Sequence, residues 1–184
     1  MHSIFKNRSL SLLLIFCLLI GFTACEKEDA KEEAPTTTTT PGPTTPVTTT
    51  PSSNLNKTLA LQLVNDVRSK GCHCGPTYYG ATTALRWNDQ LEAAAVAHNN
   101  NMHQNKFFSH EDPQGGTPAT RAKAAGYNWT AVGENIASGQ KTEQEVVAAW
   151  IASPGHCKNI MNPAFQEMGL ARKDNLWTQV FGSR

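Results

Sequence analysis

Apolar residues in the C-terminal part of the chain recur every three or four positions, which is the spacing of one face of an α-helix. The pattern predicts a first helix over residues 56–70, which ends at Gly71 because glycine readily leaves helical geometry. A second helix is predicted to begin at Trp87-Asn88-Asp89, where Asp89 and Glu92 have the spacing of a capping box. Its apolar face is formed by Trp87, Leu91, Ala94, Ala95, His98 and Met102.

Three more helices are predicted from their start signals. One runs near residues 117–125. Thr142 and Glu145 form a full capping-box pattern at the start of the next helix. Pro154 suits the first turn of a short last helix, since its missing N–H would be unpaired there anyway.

Strand-like segments lie between and after these helices. Residues 131–136 form one, and residues 166–171 and 176–181 are predicted to pair as a hairpin across residues 173–175. Several helices followed by a few late strands favour an α+β domain, in which helices cover a small antiparallel sheet.

The N-terminal segment differs in character from the rest. Lys6 and Arg8 precede a charge-free apolar run, residues 10–22, which is too short for a comfortable membrane span of about 20 residues. Residues 1–24 therefore read as a secretory signal. Small residues directly before Cys25 resemble the bacterial lipobox, which predicts that Cys25 is acylated and anchors the protein in a bacterial membrane. The alternative is an ordinary cleavable signal with an incidental cysteine.

Residues 25–53 are predicted to be a disordered tether. Their first part is rich in acidic residues and resembles the surface-export signals of Bacteroidetes lipoproteins, which would place the protein on the outer-membrane surface; the alternative is a merely solvated charge run. Their second part is almost entirely Thr, Pro, Ser and Gly, and it has nothing to bury that would offset the entropy of ordering. The folded domain is predicted to span residues 54–184.

The charge of residues 54–184 is nearly balanced, with 12 basic and 10 acidic residues. No basic patch with interleaved aromatic residues is visible, so nucleic acid is not expected as a partner. A glycine-rich phosphate loop is also missing from the sequence.

Cysteine usage predicts a disulfide. Acylation would consume Cys25, and export would place Cys72, Cys74 and Cys157 where disulfides persist. One pair and one odd thiol are then expected. A bridge between Cys72 and Cys74 would be strained, so a long-range bridge to Cys157 is predicted. A zinc site built from Cys72, His73, Cys74 and Cys157 is the alternative, although this spacing fits ordinary zinc motifs poorly.

Five segments, in their order along the chain, resemble the CAP superfamily of cysteine-rich secretory proteins, antigen 5, plant pathogenesis-related proteins and bacterial SCP-like extracellular proteins. The resemblance covers essentially all of residues 56–184 and matches the short bacterial branch. The segments are Phe107–His110, Gly133–Ile136, Glu145–Trp150, Ser153–His156 and Trp177–Phe181.

The resemblance implies a three-layer α-β-α sandwich with a large open cleft. It also implies that two histidines and two glutamates meet at the cleft floor and take a divalent metal, for which zinc is the first candidate. Those positions are His110, Glu134, Glu145 and His156. A Cys-Gly pair begins the corresponding loop of related bacterial domains, which favours a bridge from Cys74 to Cys157 and leaves Cys72 free.

Each candidate residue also has a structural interpretation. Glu145 fits the capping box, where it would bond the backbone at Thr142. Glu134 could be a buried acid paired with a histidine, and His156 could satisfy backbone groups at its helix start. His98, on an apolar helix face, reads as a core histidine rather than a ligand.

Two functional classes are compatible with these residues. The first, which we favour, is a surface binding module whose cleft holds a peptide, a lipid or sterol, or a cell-wall fragment. The second is a metal-dependent peptidase or cell-wall hydrolase with Glu134 or Glu145 as general base. Ser109 beside His110 lacks the G-x-S-x-G context of a serine nucleophile, and a disulfide would consume the sulfur of Cys157.

An inhibitor of lipoprotein signal peptidase should leave an unprocessed precursor in cells that make this protein, because cleavage before an acylated Cys25 requires that enzyme. Immunoblotting of cell fractions measures the precursor. A Cys25→Ala control should lose the lipid anchor altogether. Normal processing in the presence of the inhibitor would contradict the lipoprotein assignment.

Overall fold

The computed structural model of the protein describes residues 55–184. The predicted signal segment, residues 1–24, and the predicted tether, residues 25–53, lie outside the described residues. Within residues 55–184, none of the helices has the length and apolar character needed to cross a membrane.

The helices of the described region lie close to the positions predicted from the sequence. Each start is marked by a polar or proline residue, and Asn56, Thr117 and Thr142 accept hydrogen bonds from the first turn of their helices. The helices are α1 (Lys57–Lys70), α2 (Asp89–Asn105), α3 (Pro118–Ala124), α4 (Glu143–Ala152) and α5 (Pro154–Met161).

The strands of the described region form two sheets. A small hairpin pairs the first two strands, and the other four form a sheet of order β3-β5-β6-β4, in which only β3 and β5 run parallel. The strands are β1 (Cys72–Cys74), β2 (Thr77–Tyr79), β3 (Arg86–Trp87), β4 (Ala131–Ser138), β5 (Glu167–Lys173) and β6 (Leu176–Ser183).

The start of α2 differs from the prediction. Trp87 lies in the short strand β3, and Asn88 is the residue that caps the helix, because its side-chain oxygen accepts from the amides of Gln90 and Leu91. Asp89 is therefore the first helical residue rather than the cap. The β1–β2 hairpin was also not predicted, since two three-residue strands give almost no alternation pattern.

The sheet is covered by helices on both faces, which confirms the predicted α+β sandwich. Successive residues of a strand point to opposite faces, and β5 shows this directly. Met168 and Leu170 pack into the core under α1, α4 and α5, whereas Ala171 packs with Leu91 and Tyr127 in the core under α2 and α3. The two cores explain why both β5 and β6 are buried almost throughout.

Gly169 allows α2 to lie directly on the sheet. A methyl group at this position would come within 2.0 Å of the backbone nitrogen of Glu92 at the start of α2. Any side chain there would push the helix away from β5, so glycine sets the spacing of this layer.

Arg68 joins α1 to two other parts of the domain. Its side chain is fully buried, and its nitrogens donate to the carbonyl oxygens of Thr83 (2.7 Å), Ile160 (2.6 Å), Asn162 (3.0 Å) and Phe165 (3.2 Å). Burial lowers the pKa of Arg68 to about 10, so the guanidinium is still charged at neutral pH. A cation also suits the C-terminal end of α5, where the last helical carbonyls carry partial negative charge.

Arg68→Met should lower the free energy of unfolding by at least about 3 kcal/mol, because several buried carbonyl oxygens would lose their donors. Urea unfolding followed by circular dichroism measures the change. The matched control is Lys70→Met, an exposed basic residue of the same helix, which should change stability by less than about 0.5 kcal/mol. Equal effects of the two substitutions would contradict this role.

Candidate functional site

The candidate site is built around strand β4, which lies at the edge of the sheet and, among the strands of residues 55–184, pairs only with β6. Glu134 lies opposite Val180, which belongs to the core under α2 and α3, and Asn135 lies opposite Gln179 on the other face. Neighbouring positions of β4 therefore face the two helical layers in turn. Because no strand of the described region covers the outer side of β4, residues from both layers can meet over this edge.

Glu134 is the centre of the first half of the site. Its side chain is only 1% exposed, and its two oxygens have separate partners. Oε2 accepts from Nη2 of Arg121 at 2.8 Å, and Oε1 lies 2.8 Å from Nδ1 of His110. The arrangement places a buried carboxylate between a cation from α3 and a histidine from the α2–α3 loop, and it confirms the alternative in which Glu134 is a buried acid paired with a histidine.

His98 and Asp112 extend this network inwards. His98 is fully buried, with Nδ1 3.1 Å from Oδ1 of Asp112 and Nε2 3.0 Å from the carbonyl oxygen of Ser109. The same Asp112 oxygen accepts from Nη1 of Arg121 at 3.0 Å. Burial lowers the pKa of His98, while the charges of Glu134 and Asp112 act in the opposite direction. The prediction of a satisfied core histidine at His98 is confirmed.

Two asparagines connect β4 to helix α5, which carries His156. Asn159 donates to the carbonyl oxygen of Glu134 at 3.0 Å and to Oδ1 of Asn135 at 2.9 Å. Asn135 in turn donates to the carbonyl oxygen of His156 at 3.2 Å and to Oε1 of Gln179 at 3.1 Å. These bonds fix the first turn of α5 beside the strand that carries Glu134.

His156 responds to this position. Burial lowers the pKa of His156, and the nearby positive charge of His110 lowers it further. The imidazole is therefore neutral at neutral pH, which is the form that binds a metal. The His110 side chain is half-exposed and His156 is half-buried, so both rings border solvent.

Glu145 has a separate partner at the start of α4. Its Oε2 accepts from the backbone amide of Lys141 at 2.8 Å, and Thr142 caps its own amide at 3.2 Å. The capping role is thus observed, with the bond made one residue earlier than Thr142. Glu145 is exposed, and its membership in the site with the two histidines stays a prediction.

The side chains over β4 offer a metal fewer than the four ligands that were predicted. Both oxygens of Glu134 are already engaged, and among residues 55–184 the four predicted site residues do not form a compact group of ligand atoms. What remains free is the second nitrogen of His110 and the ring of His156. The bond from Nδ1 of His110 to a carboxylate is typical of a metal-binding histidine, since it orients the ring and raises its basicity.

Cys72, Cys74 and Cys157 do form a compact group in the part of the chain that the structure describes, with all sulfurs within 4.8 Å of one another. Cys74 and Cys157 are joined in a disulfide that spans 83 residues, and Cys72 is free, as predicted. Three thiolates at this place could hold a metal, but a disulfide sulfur is not a thiolate. The predicted zinc alternative therefore applies only to the reduced protein.

Several residues of the site were not singled out from the sequence. Arg121 and Asp112 give no signal of their own, because a charged residue in a short helix or a loop normally faces water. Asn135 lies inside the Gly133–Ile136 segment, and its polar side chain in a strand was the one available clue. Asn159 and Gln179 become meaningful only when α5 is seen to lie against β4.

The layered sandwich, the long-range disulfide and the histidine–glutamate pair at a sheet edge together define a CAP-type, or SCP-like, domain. A model of the cysteine-rich secretory protein family, CAP, matches residues 61–181. The chain belongs to the CAP family.

Two proteins of Bacillus subtilis strain 168 are similar in sequence. The uncharacterized protein YkwD is 40% identical over 99 residues, which cover 53% of this chain and 38% of YkwD. The uncharacterized membrane protein YlbC is 28% identical over 100 residues, which cover 54% of this chain and 29% of YlbC. The similarity thus spans less than half the length of either relative.

Solved structures show the same fold. An extracellular SCP-domain protein from Bacillus anthracis strain Ames gives a TM-score of 0.61 at 29% identity, covering 69% of this chain and 40% of that one. An outer surface protein from Borrelia burgdorferi gives a TM-score of 0.57 at 25% identity, covering 69% of this chain and 91% of that one.

His110→Ala should raise the pKa of His156 part of the way towards the ordinary value of 6.5, because it removes a nearby positive charge but leaves burial, the larger cause. An NMR titration of the histidine ring protons measures the shift. His103→Ala is the control, since His103 pairs with Asp174 at the β5–β6 turn and should leave His156 unchanged. If the pKa of His156 is the same with and without His110→Ala, the two rings do not share one site.

Proposed function

We propose that this protein is an exported, lipid-anchored binding module of the CAP family, whose ligand site lies over the edge strand β4 and accepts a divalent metal. The observation that supports this best is the state of Glu134. Its two oxygens are held by Arg121 and His110, so the carboxylate is not available to activate a water molecule. The carboxylate positions an imidazole instead, which is a binding role.

The exposed surface beside this pair suits a ligand of mixed character. The His110 side chain is 49% exposed, and Phe108, two residues earlier, exposes 53% of its surface. An exposed aromatic ring on the same loop as the imidazole can contact the apolar part of a peptide, lipid, sterol or cell-wall fragment, while the imidazole bonds its polar part. We propose a ligand of this kind and no nucleic acid.

The N-terminal sequence supports a place at a membrane surface. Residues 25–53 would link an acylated Cys25 to the domain, and a Pro-rich spacer of 20 residues reaches roughly 60 Å when extended. Two of the similar structures are described as an extracellular protein and an outer surface protein. We propose that this domain is also extracellular and that it is exposed on the surface of the outer membrane.

A metal at this site would be held by His110 and His156, with the remaining positions left to water or ligand atoms. Such a donor set gives modest affinity, because tight zinc sites use three or four protein ligands. Bound there, a divalent ion would supply a positive charge that attracts a carboxylate or phosphate of the ligand. The neutral state of His156 at neutral pH favours its use as a ligand.

His110→Ala and His156→Ala should each remove zinc binding, measured by isothermal titration calorimetry at neutral pH. His156→Ala should change stability little, because its ring borders solvent. His110→Ala should lower the free energy of unfolding by about 1–3 kcal/mol, because it leaves one oxygen of the buried Glu134 carboxylate without its partner. His98→Ala should keep zinc binding and lower the free energy of unfolding by roughly 2–4 kcal/mol, since it leaves a cavity and unpaired polar groups. Zinc binding that survives loss of both His110 and His156 would show that the assignment is wrong.

The alternative to a binding function is metal-dependent hydrolysis. The purified protein is incubated with casein and with peptidoglycan, with and without a chelator, and soluble products are measured over time. We expect no metal-dependent turnover, in agreement with the engaged state of Glu134. Chelator-sensitive turnover that Glu145→Gln abolishes would make the protein a hydrolase and overturn the binding proposal.

A further inference from the structure

The three cysteines of the domain form a cluster that the site over β4 does not use. Cys72 and Cys74 are two residues apart on strand β1, so their side chains project to the same face of the strand. Cys157, in the first turn of α5, lies against that face. The spacing in the sequence thus gives one sulfur of α5 two possible partners.

The free thiol lies close to the disulfide. Sγ of Cys72 is 3.6 Å from Sγ of Cys157, which is about the contact distance of two non-bonded sulfur atoms. Cys72 is half-buried, whereas Cys74 and Cys157 are completely buried. The thiol is therefore in contact with the disulfide and more accessible to solvent than either of its sulfurs. All three sulfurs lie within 4.8 Å of one another, so attack along the axis of the disulfide bond requires a rotation of the Cys72 side chain.

We propose that Cys72 is an exchange thiol, which takes Cys157 over from Cys74 and makes the disulfide of this domain a movable one. In the exchange, the Cys72 thiol loses its proton to solvent and its sulfur attacks Sγ of Cys157. The bond from Cys157 to Cys74 breaks as the bond from Cys157 to Cys72 forms. Cys74 leaves as a thiolate and takes up a proton, so no oxidant or reductant is consumed.

The two disulfide-bonded forms differ in whether a sulfur of the disulfide is exposed to solvent. With Cys74 bonded, the disulfide is buried and shielded from external thiols. With Cys72 bonded, one sulfur of the disulfide is half-exposed and open to attack. Exchange at Cys72 therefore allows an external thiol or disulfide to react with the disulfide that links β1 to α5.

Burial sets the speed of this reaction. The thiolate is the attacking species, and burial raises the pKa of Cys72, so little thiolate is present at neutral pH. Exchange should accordingly be slow at neutral pH and is best followed by incubating the protein in mildly alkaline buffer without denaturant.

Labelling tests the exchange in the full chain. After native incubation the protein is quenched in acid, unfolded, and its free thiols are blocked with N-ethylmaleimide. Cys72 and Cys74 share one tryptic peptide, residues 71–86, so tandem mass spectrometry locates the label. We expect label on both Cys72 and Cys74. Label on Cys72 alone after prolonged incubation would overturn the proposal.

Two matched variants test the partner and the route. In Cys74→Ser, a Cys72–Cys157 disulfide should form within the folded chain; free thiols or an intermolecular dimer would overturn the proposal. In Cys72→Ser, dithiothreitol should reduce the native disulfide about tenfold more slowly than in the unaltered chain, because the exposed form is lost. Equal reduction rates in Cys72→Ser and the unaltered chain would likewise overturn the proposal. If Cys74→Ser does not fold, the labelling and the reduction rates decide.

Discussion

The carboxylate of Glu134 is shielded from water, and its charge must therefore be balanced from within the protein. The chain meets this requirement with groups from different elements: Arg121 from α3, and His110 from the loop between α2 and α3. Asp112 makes the balance more demanding, because a second carboxylate shares the same guanidinium. The position of the α2–α3 loop, and with it the exposed side chain of His110, follows from the need to keep this group of charges paired.

The edge position of β4 turns this structural network into a surface site. A buried carboxylate in a central strand could orient only buried groups, whereas Glu134 in an edge strand orients a ring that faces solvent. The opposite face of the same strand holds α5 through Asn135 and Asn159. The side chain of His110, through Glu134, and the backbone of His156, through Asn135, are thereby each bonded to this one strand.

Helix α5 is fixed at both ends by interactions that involve no other part of the site. Arg68 binds carbonyl oxygens at its C-terminal end, and the disulfide between Cys74 and Cys157 holds its first turn to β1. Because Cys157 directly follows His156, the covalent link and the candidate ligand share one helical turn. The stability of α5 and the position of His156 therefore depend on the same two contacts.

The sequence by itself determined the helices, the late hairpin and the α+β class, because each depends on local spacing and on capping signals that act within a few residues. Resemblance to a family added the disulfide partner Cys74, which the structure confirms. Local pattern could not reveal the cap at Asn88 or the β1–β2 hairpin, since short polar segments adopt the structure that their neighbours impose.

Only the tertiary structure decided what the site residues do. The pairing of Glu134 with Arg121 joins positions 13 residues apart, and the bond from Asn159 to Glu134 joins positions 25 apart. Neither pair lies on one helix face or in one strand register, so no periodicity records them. A carboxylate in a strand reads as a metal ligand or as a buried acid with equal ease in the sequence. Its role is set by which donors reach its two oxygens, and that depends on how separate layers pack around the edge of the sheet.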